Sequence, residues 1–161
     1  MKATDIRIRR VRVADVERII EIERSWQHLS HWAEESYYRL VKDEGGLTLS
    51  WLAEVEDIPE SPVIAGFVIF HVAASSCEIY NFAVDRQHAR TGIGSRLMDS
   101  VVKESLRRYA TRVLLEVRKS NEVAIKFYDR FGFKPLGERK NYYSNPTEDA
   151  IVMEKNLYEP A

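Results

Sequence analysis

The chain has 161 residues, 45% of them hydrophobic, which is enough apolar content for the core of a single domain of ordinary size. Its 24 Lys and Arg residues balance 25 Asp and Glu residues, and the formal charge of −1 excludes a general attraction to nucleic acid or to an anionic membrane. The single Cys77 excludes an internal disulfide, and without an apolar leader or a membrane-length apolar run we expect a cytoplasmic protein.

Periodic placement of apolar residues predicts the elements of the first half of the chain. A strand and two helices come first, at residues 6–11, 16–26 and 33–41. Asp15 is the predicted N-cap of the first helix and Ser30 that of the second, which ends at Gly45 and Gly46. Two strands follow, at residues 48–55 and 63–72, joined by a hairpin loop that contains two prolines.

The second half alternates strands and helices. A strand at residues 79–84 enters a turn with two glycines and continues as a helix, because Leu97, Met98 and Val101 recur at helical spacing. The remaining elements are a strand, a helix, a strand and, after a long loop, a last strand, at residues 112–117, 121–131, 133–138 and 150–155. This order predicts a mixed sheet with helices on both faces.

The turn that contains Gly92 and Gly94 is typical of a ligand site. Residues without a Cβ let backbone N–H groups gather around a phosphate at the start of a helix, where the helix dipole adds positive charge. We therefore interpret the turn as a pyrophosphate-binding loop. Two alternatives stay open: a tight turn that binds nothing, and a dinucleotide fingerprint, which would need a third glycine where the chain has Leu97. The Gly-Lys-Ser/Thr ending of a Walker loop is absent.

Two longer stretches of sequence point to a family. The segments ARTGIGSRLM and LLEVRKSNEVAIKFYDRFGF resemble the GNAT superfamily of acetyl-CoA-dependent N-acetyltransferases, whose glycine motif is Q/R-x-x-G-x-G/A. Ala89 stands where that motif has Gln or Arg. Within the superfamily, the stretches NFAV, LEVRKSN and NYY…EDAIVM are most similar to ribosomal-protein-alanine N-acetyltransferases (RimI-type) and to related enzymes that acetylate protein N-termini.

The resemblance implies a fold, a co-substrate and a partner. The expected fold is of the α/β (mixed α+β) class, with a central mixed, mostly antiparallel twisted sheet and helices on both faces, in one GNAT domain that spans residues 1–161. The expected reaction transfers an acetyl group from acetyl-CoA, without a metal, to the N-terminal α-amine of a protein such as a ribosomal protein. We expect a monomer or weak dimer with no direct nucleic-acid partner and no membrane partner.

The resemblance also assigns the co-substrate contacts. Backbone N–H groups of six turn residues would bind the pyrophosphate, namely Arg90, Thr91, Gly92, Ile93, Gly94 and Ser95. Backbone groups of Phe82, Ala83 and Val84 would pair with the pantetheine arm as an added strand does. Asn121 would contact acetyl-CoA.

Two further residues are assigned to proton transfer by the resemblance. Glu116, a lone carboxylate in an apolar run, would be the general base, and burial would raise its pKa towards the working pH. By alternation alone, a strand residue that faces solvent is nearly as good an interpretation. Tyr128 would donate a proton to the leaving sulfur, and its spacing from Asn121 places the two on one helix face. The alternative role of Tyr128 is that of a core aromatic beside Phe127 and Phe131.

Tyr142 and Tyr143 are the predicted substrate-binding residues. Aromatic side chains in a loop near the end of a strand can line a slot for a peptide, and the alternative is an aromatic pair that covers the edge of the sheet. Other functions stay open as well: acetylation of a small amine or of a lysine side chain, a non-catalytic acyl-CoA-binding regulatory module, and, least favoured, a dinucleotide-dependent oxidoreductase.

Overall fold

The computed structural model describes residues 5–27, 29, 31–58 and 61–158, and this part of the chain contains seven strands and four α-helices. In chain order the elements are β1 (Ile6–Arg10), α1 (Val16–Arg24), α2 (Glu34–Lys42), β2 (Thr48–Ile58), β3 (Ser61–Ala73), β4 (Ser76–Val84), α3 (Ile93–Arg107), β5 (Arg112–Arg118), α4 (Glu122–Arg130), β6 (Lys134–Tyr143) and β7 (Glu148–Asn156). Among the helices of the described ranges, none is both long and apolar enough to cross a membrane.

The strands form a seven-stranded sheet with the order β1-β2-β3-β4-β5-β7-β6. Strands β4 and β5 are parallel, with a register that runs from Ser76 opposite Arg112 to Ile79 opposite Leu115. Strand β1 pairs antiparallel with β2, and β7 pairs antiparallel with both β5 and β6. The prediction of a mixed, mostly antiparallel sheet is confirmed, and the parallel pair is the one whose strands are connected in the chain by the single α-helix α3.

The chain groups into two compact units, Met1–Phe70 with Asn81–Val101 and His71–Tyr80 with Val102–Ala161. In the first unit, Phe67 of β3 packs in a buried apolar cluster with side chains of α1 and with Tyr37 of α2. Side chains alternate between the two faces of a strand, so the neighbouring Gly66 faces the opposite side of β3. A Cβ added at Gly66 would lie 3.0 Å from the side chain of Ile93 and 3.2 Å from that of Leu97, both in α3. Helices therefore cover both faces of β3 in this unit, as predicted.

The second unit has its core on one face of β5. Val113, Leu115 and Val117 are buried, whereas Leu114 and Glu116, which alternate with them, are half-buried. The predicted strand is therefore confirmed, and its alternation separates an apolar face from one that carries a carboxylate.

Helix α4 of the second unit closes with a glycine. Gly132 has a φ angle of +86°. The N–H of the next residue, Phe133, donates to the carbonyl of Tyr128 at 3.1 Å, and the rings of these two residues lie 5.6 Å apart. A left-handed residue that turns the chain back is a common end of a helix and favours glycine.

Two predicted helix caps differ from the structure. Asp15 makes no side-chain cap bond to α1, because its carboxylate accepts a hydrogen bond from the N–H of Arg12 at 2.7 Å and pairs with Arg9 at 2.7 Å. Its carboxylate instead satisfies the N–H of Arg12, the N-cap of the short 3-10 turn Val13–Asp15. Ser30 lies outside the described residues, and α2 begins at Glu34.

The prediction of a long loop after residue 138 is also wrong. Strand β6 continues to Tyr143, so Tyr142 and Tyr143 lie in a strand that pairs with β7. The register of this pair shifts twice, between Pro135 and Gly137 and between Arg139 and Tyr143. Each shift inserts unpaired residues, which breaks the two-residue alternation that would have revealed the strand in the sequence.

Candidate functional site

The glycine turn leads from β4 into α3 in the first unit. Arg90 and Gly92 both have positive φ angles, of 61° and 87°. Left-handed residues that alternate with ordinary ones make a concave run of N–H groups typical of anion sites. Residues 93–95 lie in the first helical turn, where N–H groups have no intrahelical acceptor, and Arg96 N–H donates to Gly92 C=O at 3.0 Å. A Cβ at Gly92 would have no atom within 4 Å, so there is space beside the turn for a phosphate.

The base of the turn is anchored to its own unit. The N–H of Asp85 donates to the carbonyl of Ala65 at 2.8 Å, and its carboxylate pairs with Arg18 at 2.6 Å. Thr91, at the exposed tip, donates its hydroxyl hydrogen to the carbonyl of His88. The turn is therefore held in place independently of any ligand, although the binding role of its residues remains a prediction.

The segment 82–84 of β4, predicted to bind pantetheine, is held by side chains at both ends. The N–H of Phe82 donates to Oδ1 of Asn81 at 3.1 Å, and the carbonyl of Val84 accepts from Nε1 of Trp26 at 2.9 Å. Ala83 between them is buried. These contacts fix the path of the segment, whose role in binding also remains a prediction.

A buried polar cluster that the sequence did not predict lies beside this segment. Glu23 of α1 is 0% exposed. One of its carboxylate oxygens accepts from the N–H of Trp32 at 3.1 Å, and the other accepts from Nδ2 of Asn81 at 3.0 Å. The same Nδ2 donates to the hydroxyl of Tyr37 at 2.9 Å. We call Glu23, Tyr37 and Asn81 the Glu23 cluster; burial raises the pKa of Glu23 to about 7, against the opposing effect of these hydrogen bonds.

This pKa predicts that the protein loses stability as the pH rises from about 4.5 to about 7. In that range the folded protein holds a proton on Glu23 that the unfolded chain has released, so the free energy of unfolding falls with pH. The expected loss is on the order of 1–3 kcal/mol. Urea unfolding at pH 5 and pH 8 measures it. The Glu23→Gln variant, which does not titrate there, should lack this component of the pH dependence, and an unchanged dependence would contradict the assignment.

Glu116, the predicted general base, lies in the second unit on the half-buried face of β5. Its side chain is 29% exposed, and Oε1 lies 3.0 Å from Nε of Arg139 on β6. The expectation that Glu116 is buried is therefore wrong. The structure instead gives it a cationic partner, which the sequence could not reveal because β6 was predicted to end before Arg139.

Tyr128, the predicted proton donor, is 8% exposed in α4, and burial raises its pKa. Its ring meets that of Phe127 edge-on at 5.5 Å. Asn121, predicted to contact acetyl-CoA, is the N-cap of the same helix, and its Oδ1 accepts from the N–H of Ala124 at 3.2 Å. The structure thus gives both residues a structural role, and their roles in catalysis and binding remain predictions.

Tyr142 and Tyr143 form an aromatic pair at the end of β6, with ring centroids 5.0 Å apart and planes at 88°. Tyr142 is 49% exposed and Tyr143 is 8% exposed, so only Tyr142 has a large accessible surface. Arg139 lies 5.9 Å from the Tyr142 ring and pairs with Glu116, so the structure brings Glu116 and the tyrosine pair together within this unit.

Arg118 is a further residue of this region that the sequence did not single out. It is 4% exposed, and its guanidinium lies 4.4 Å from the Tyr143 ring. Two of its nitrogens donate to the carbonyls of Ser144 and Pro146, each at 3.1 Å, and it pairs with Glu148 at 3.3 Å. Arg118 therefore fixes the β6–β7 hairpin and the buried tyrosine. Its place in the motif LEVRKSN was the only signal available.

Comparisons with known proteins identify the family. A family model described as "Acetyltransferase (GNAT) family" matches residues 13–133. The chain is 30% identical to the ribosomal protein bS18-alanine N-acetyltransferase of Escherichia coli (strain K12) over 128 residues, which are 78% of this chain and 81% of that protein.

Solved structures give the same result. The crystal structure of the Escherichia coli ribosomal-protein-S18-alanine N-acetyltransferase superposes with a TM-score of 0.79 and 26% identity, covering 98% of this chain and 97% of that one. Arabidopsis thaliana NAA60 in complex with acetyl-CoA has a TM-score of 0.85 at 22% identity, over 96% of this chain and 100% of that one, and supports the fold. The match of the family model to most of the chain shows that this protein belongs to the acetyltransferase (GNAT) family.

Proposed function

We propose that the protein transfers an acetyl group from acetyl-CoA to the N-terminal α-amine of a protein. The similarity to the Escherichia coli ribosomal-protein-S18-alanine N-acetyltransferase across 98% of the chain carries this proposal. The candidate acceptor is a ribosomal protein with a small first residue such as alanine. We further propose that residues 1–161 form one catalytic domain, which acts in the cytoplasm as a monomer or weak dimer.

The geometry of the glycine turn supports acetyl-CoA as the co-substrate. A pyrophosphate needs several donors within a small volume, and the left-handed Arg90 and Gly92 bring consecutive N–H groups together before the first turn of α3. The open space at Gly92 leaves room for the phosphates, while the segment 82–84 offers an extended backbone to the pantetheine arm. Ala89 removes one side-chain contact of the family motif and leaves the backbone donors in place.

The reaction needs a neutral amine and a proton for the leaving thiolate. Glu116, half-buried and oriented by Arg139, would accept the proton that the amine releases. Tyr128 would supply the proton to the sulfur, and because burial raises its pKa, its phenol carries that proton at every physiological pH. The exposure of the two side chains is consistent with these roles, because the Glu116 carboxylate is partly accessible to solvent and the Tyr128 phenol is buried.

The aromatic pair of β6 supports a peptide as the acceptor. Tyr142 presents an exposed ring, and Arg118 packs on the buried ring of Tyr143 next to it. The pair therefore lies in a strand that these contacts support, and not in a loop. An α-amine is also the easier nucleophile for a single carboxylate base. Neutralising it at pH 7 costs roughly 1 kcal/mol for a pKa of about 8, against roughly 4.6 kcal/mol for a lysine of pKa about 10.4.

Tandem mass spectrometry of one lysine-containing peptide, offered with a free and with a blocked N-terminus, tests the acceptor. With acetyl-CoA present, the free peptide should gain one acetyl group on its α-amine and the blocked peptide should gain none. Equal acetylation of both, located on lysine, would instead support the lysine alternative. If neither peptide reacts but a small amine does, the acceptor is a small molecule.

Glu116→Gln should lower kcat by about 10²- to 10⁴-fold, because the amide cannot accept the proton of the amine. The change removes an ion pair that is partly exposed, so the fold should be retained. Glu138→Gln is the matched control, since Glu138 also lies in this unit and pairs with Lys119 at 3.2 Å. Steady-state kinetics that give the two variants the same kcat would exclude Glu116 as the base.

A further inference from the structure

The Glu23 cluster uses every hydrogen-bonding group of the Asn81 carboxamide. Its nitrogen donates both hydrogens, one to Glu23 at 3.0 Å and one to the hydroxyl of Tyr37 at 2.9 Å. Its oxygen accepts the N–H of Phe82 at 3.1 Å. All three side chains of the cluster are buried, so water does not compete for these groups.

Glu23 decides which way the Asn81 carboxamide points. In the structure both carboxyl oxygens of Glu23 accept hydrogen bonds, one from the N–H of Trp32 and one from Nδ2 of Asn81, and this arrangement requires the nitrogen of the carboxamide on the side of Glu23. The oxygen must then face the other way, towards the N–H of Phe82. A flipped carboxamide would turn its NH₂ group towards that N–H and lose the bond, which would remove one constraint on the peptide group between Asn81 and Phe82.

Helix α1 and the residues that follow it therefore control both ends of the segment 82–84. Glu23 acts at the first end through Asn81, and Trp26, three residues later, binds the carbonyl of Val84 at 2.9 Å. The Trp26 ring is itself covered by the guanidinium of Arg86 at 4.1 Å. Burying a carboxylate costs free energy, and the packing of an apolar core does not require one. The presence of Glu23 in this cluster therefore indicates a specific role.

We propose that Glu23 is a positioning residue for acetyl transfer, which acts through Asn81 to fix the Phe82 peptide group in the strand segment that binds the co-substrate. This inference rests on the proposed function, since it assigns the segment 82–84 to the pantetheine arm of acetyl-CoA. The arm can pair with an extended backbone only if the peptide groups of that backbone keep their orientation.

Exchanging the two functional groups tests the proposal. Glu23→Gln alone leaves one NH₂ group opposite a donor, either Asn81 Nδ2 or Trp32 N–H, and Asn81→Asp alone places two carboxyl groups together. The double variant Glu23→Gln/Asn81→Asp restores a donor opposite an acceptor: Gln at 23 still accepts from Trp32 N–H and donates to Asp at 81. That Asp accepts from Phe82 N–H, and the Tyr37 hydroxyl donates to it instead of accepting.

Each single variant should weaken acetyl-CoA binding in calorimetry about tenfold and lower kcat/KM about 10- to 100-fold, and the double variant should recover to within about threefold of the original protein. Asp15→Asn is the matched control for loss of a buried carboxylate in the same unit. Asp15 is 8% exposed and bonds Arg9 and Arg12. This variant should lower Tm without changing the dissociation constant of acetyl-CoA.

The outcomes separate this inference from the proposed function. If the original protein does not bind acetyl-CoA, both fail. If it binds acetyl-CoA and the single variants bind it equally well, with at most a lower Tm as expected for Asp15→Asn, then Glu23 has only a structural role. In that case the inference alone is overturned. If the single variants do not fold, the double variant decides: normal affinity supports the inference, whereas weakened affinity or failure to fold overturns it.

Discussion

Replacing Tyr128 by Phe should lower kcat by about 10²- to 10⁴-fold and leave both the fold and the affinity for acetyl-CoA nearly unchanged. Tyr128 is the proposed proton donor to the leaving thiolate, and Phe removes only its hydroxyl. The ring would keep its contacts with Phe127 at 5.5 Å and Phe133 at 5.6 Å. Steady-state kinetics measure the loss, and calorimetry with acetyl-CoA shows whether binding is spared.

The pH dependence of this variant distinguishes a buried acid from an exposed one. Loss of a general acid ordinarily changes the descending limb of a rate profile, but burial raises the pKa of Tyr128, so its phenol stays protonated across the working range. The loss should therefore be the same at every pH from about 6 to 9. Tyr38→Phe, which changes a half-buried tyrosine of α2, is the control. Full turnover in Tyr128→Phe would leave the residue only its role in packing.

The second unit shows why part of the fold could be predicted from sequence. In β5 the buried Val113, Leu115 and Val117 alternate with half-buried residues, and this period of two is visible in the sequence itself. Strand β6 shows the opposite case. Its register shifts between Arg139 and Tyr143 insert unpaired residues, so the strand has no regular alternation and was predicted to end early.

The candidate site was predictable where a motif is local. The turn around Gly92 connects a strand to a helix as predicted, and the α4 segment after Asn121 is a helix as its spacing indicated. Partners distant in the chain could not be predicted. Glu23 and Asn81 are separated by 58 residues, and only the folded chain shows that one sets the orientation of the other.

Charge was the least predictable property. A lone glutamate in an apolar strand suggested a buried base, yet Glu116 is paired with Arg139, while the buried carboxylate of the described chain that carries a strongly raised pKa is Glu23. Glu116 stands between Leu115 and Val117 in the sequence, and Glu23 stands between Ile22 and Arg24. Their environments differ because β6 supplies a cation to one, and helix packing encloses the other.

Gly92→Ala should weaken acetyl-CoA binding about 10- to 100-fold. The φ angle of +87° is costly for any residue with a Cβ, so the turn would relax towards a conformation that no longer gathers its N–H groups. A Cβ at this position meets no protein atom within 4 Å, so the expected loss of affinity comes from the backbone and from the space beside it, not from a clash within the protein.

Gly132→Ala provides a matched control for that backbone cost. Gly132 has a φ angle of +86°, almost the same as that of Gly92, but it ends helix α4 and is not itself among the residues proposed to bind the co-substrate. Both variants should lose about 1–2 kcal/mol of stability, since a left-handed residue with a Cβ costs about that much. Thermal unfolding with and without acetyl-CoA separates the two effects: both variants should melt earlier alone, and only Gly92→Ala should lose most of the stabilisation that the ligand gives. Equal ligand-induced shifts in the two variants would show that the turn does not bind the pyrophosphate.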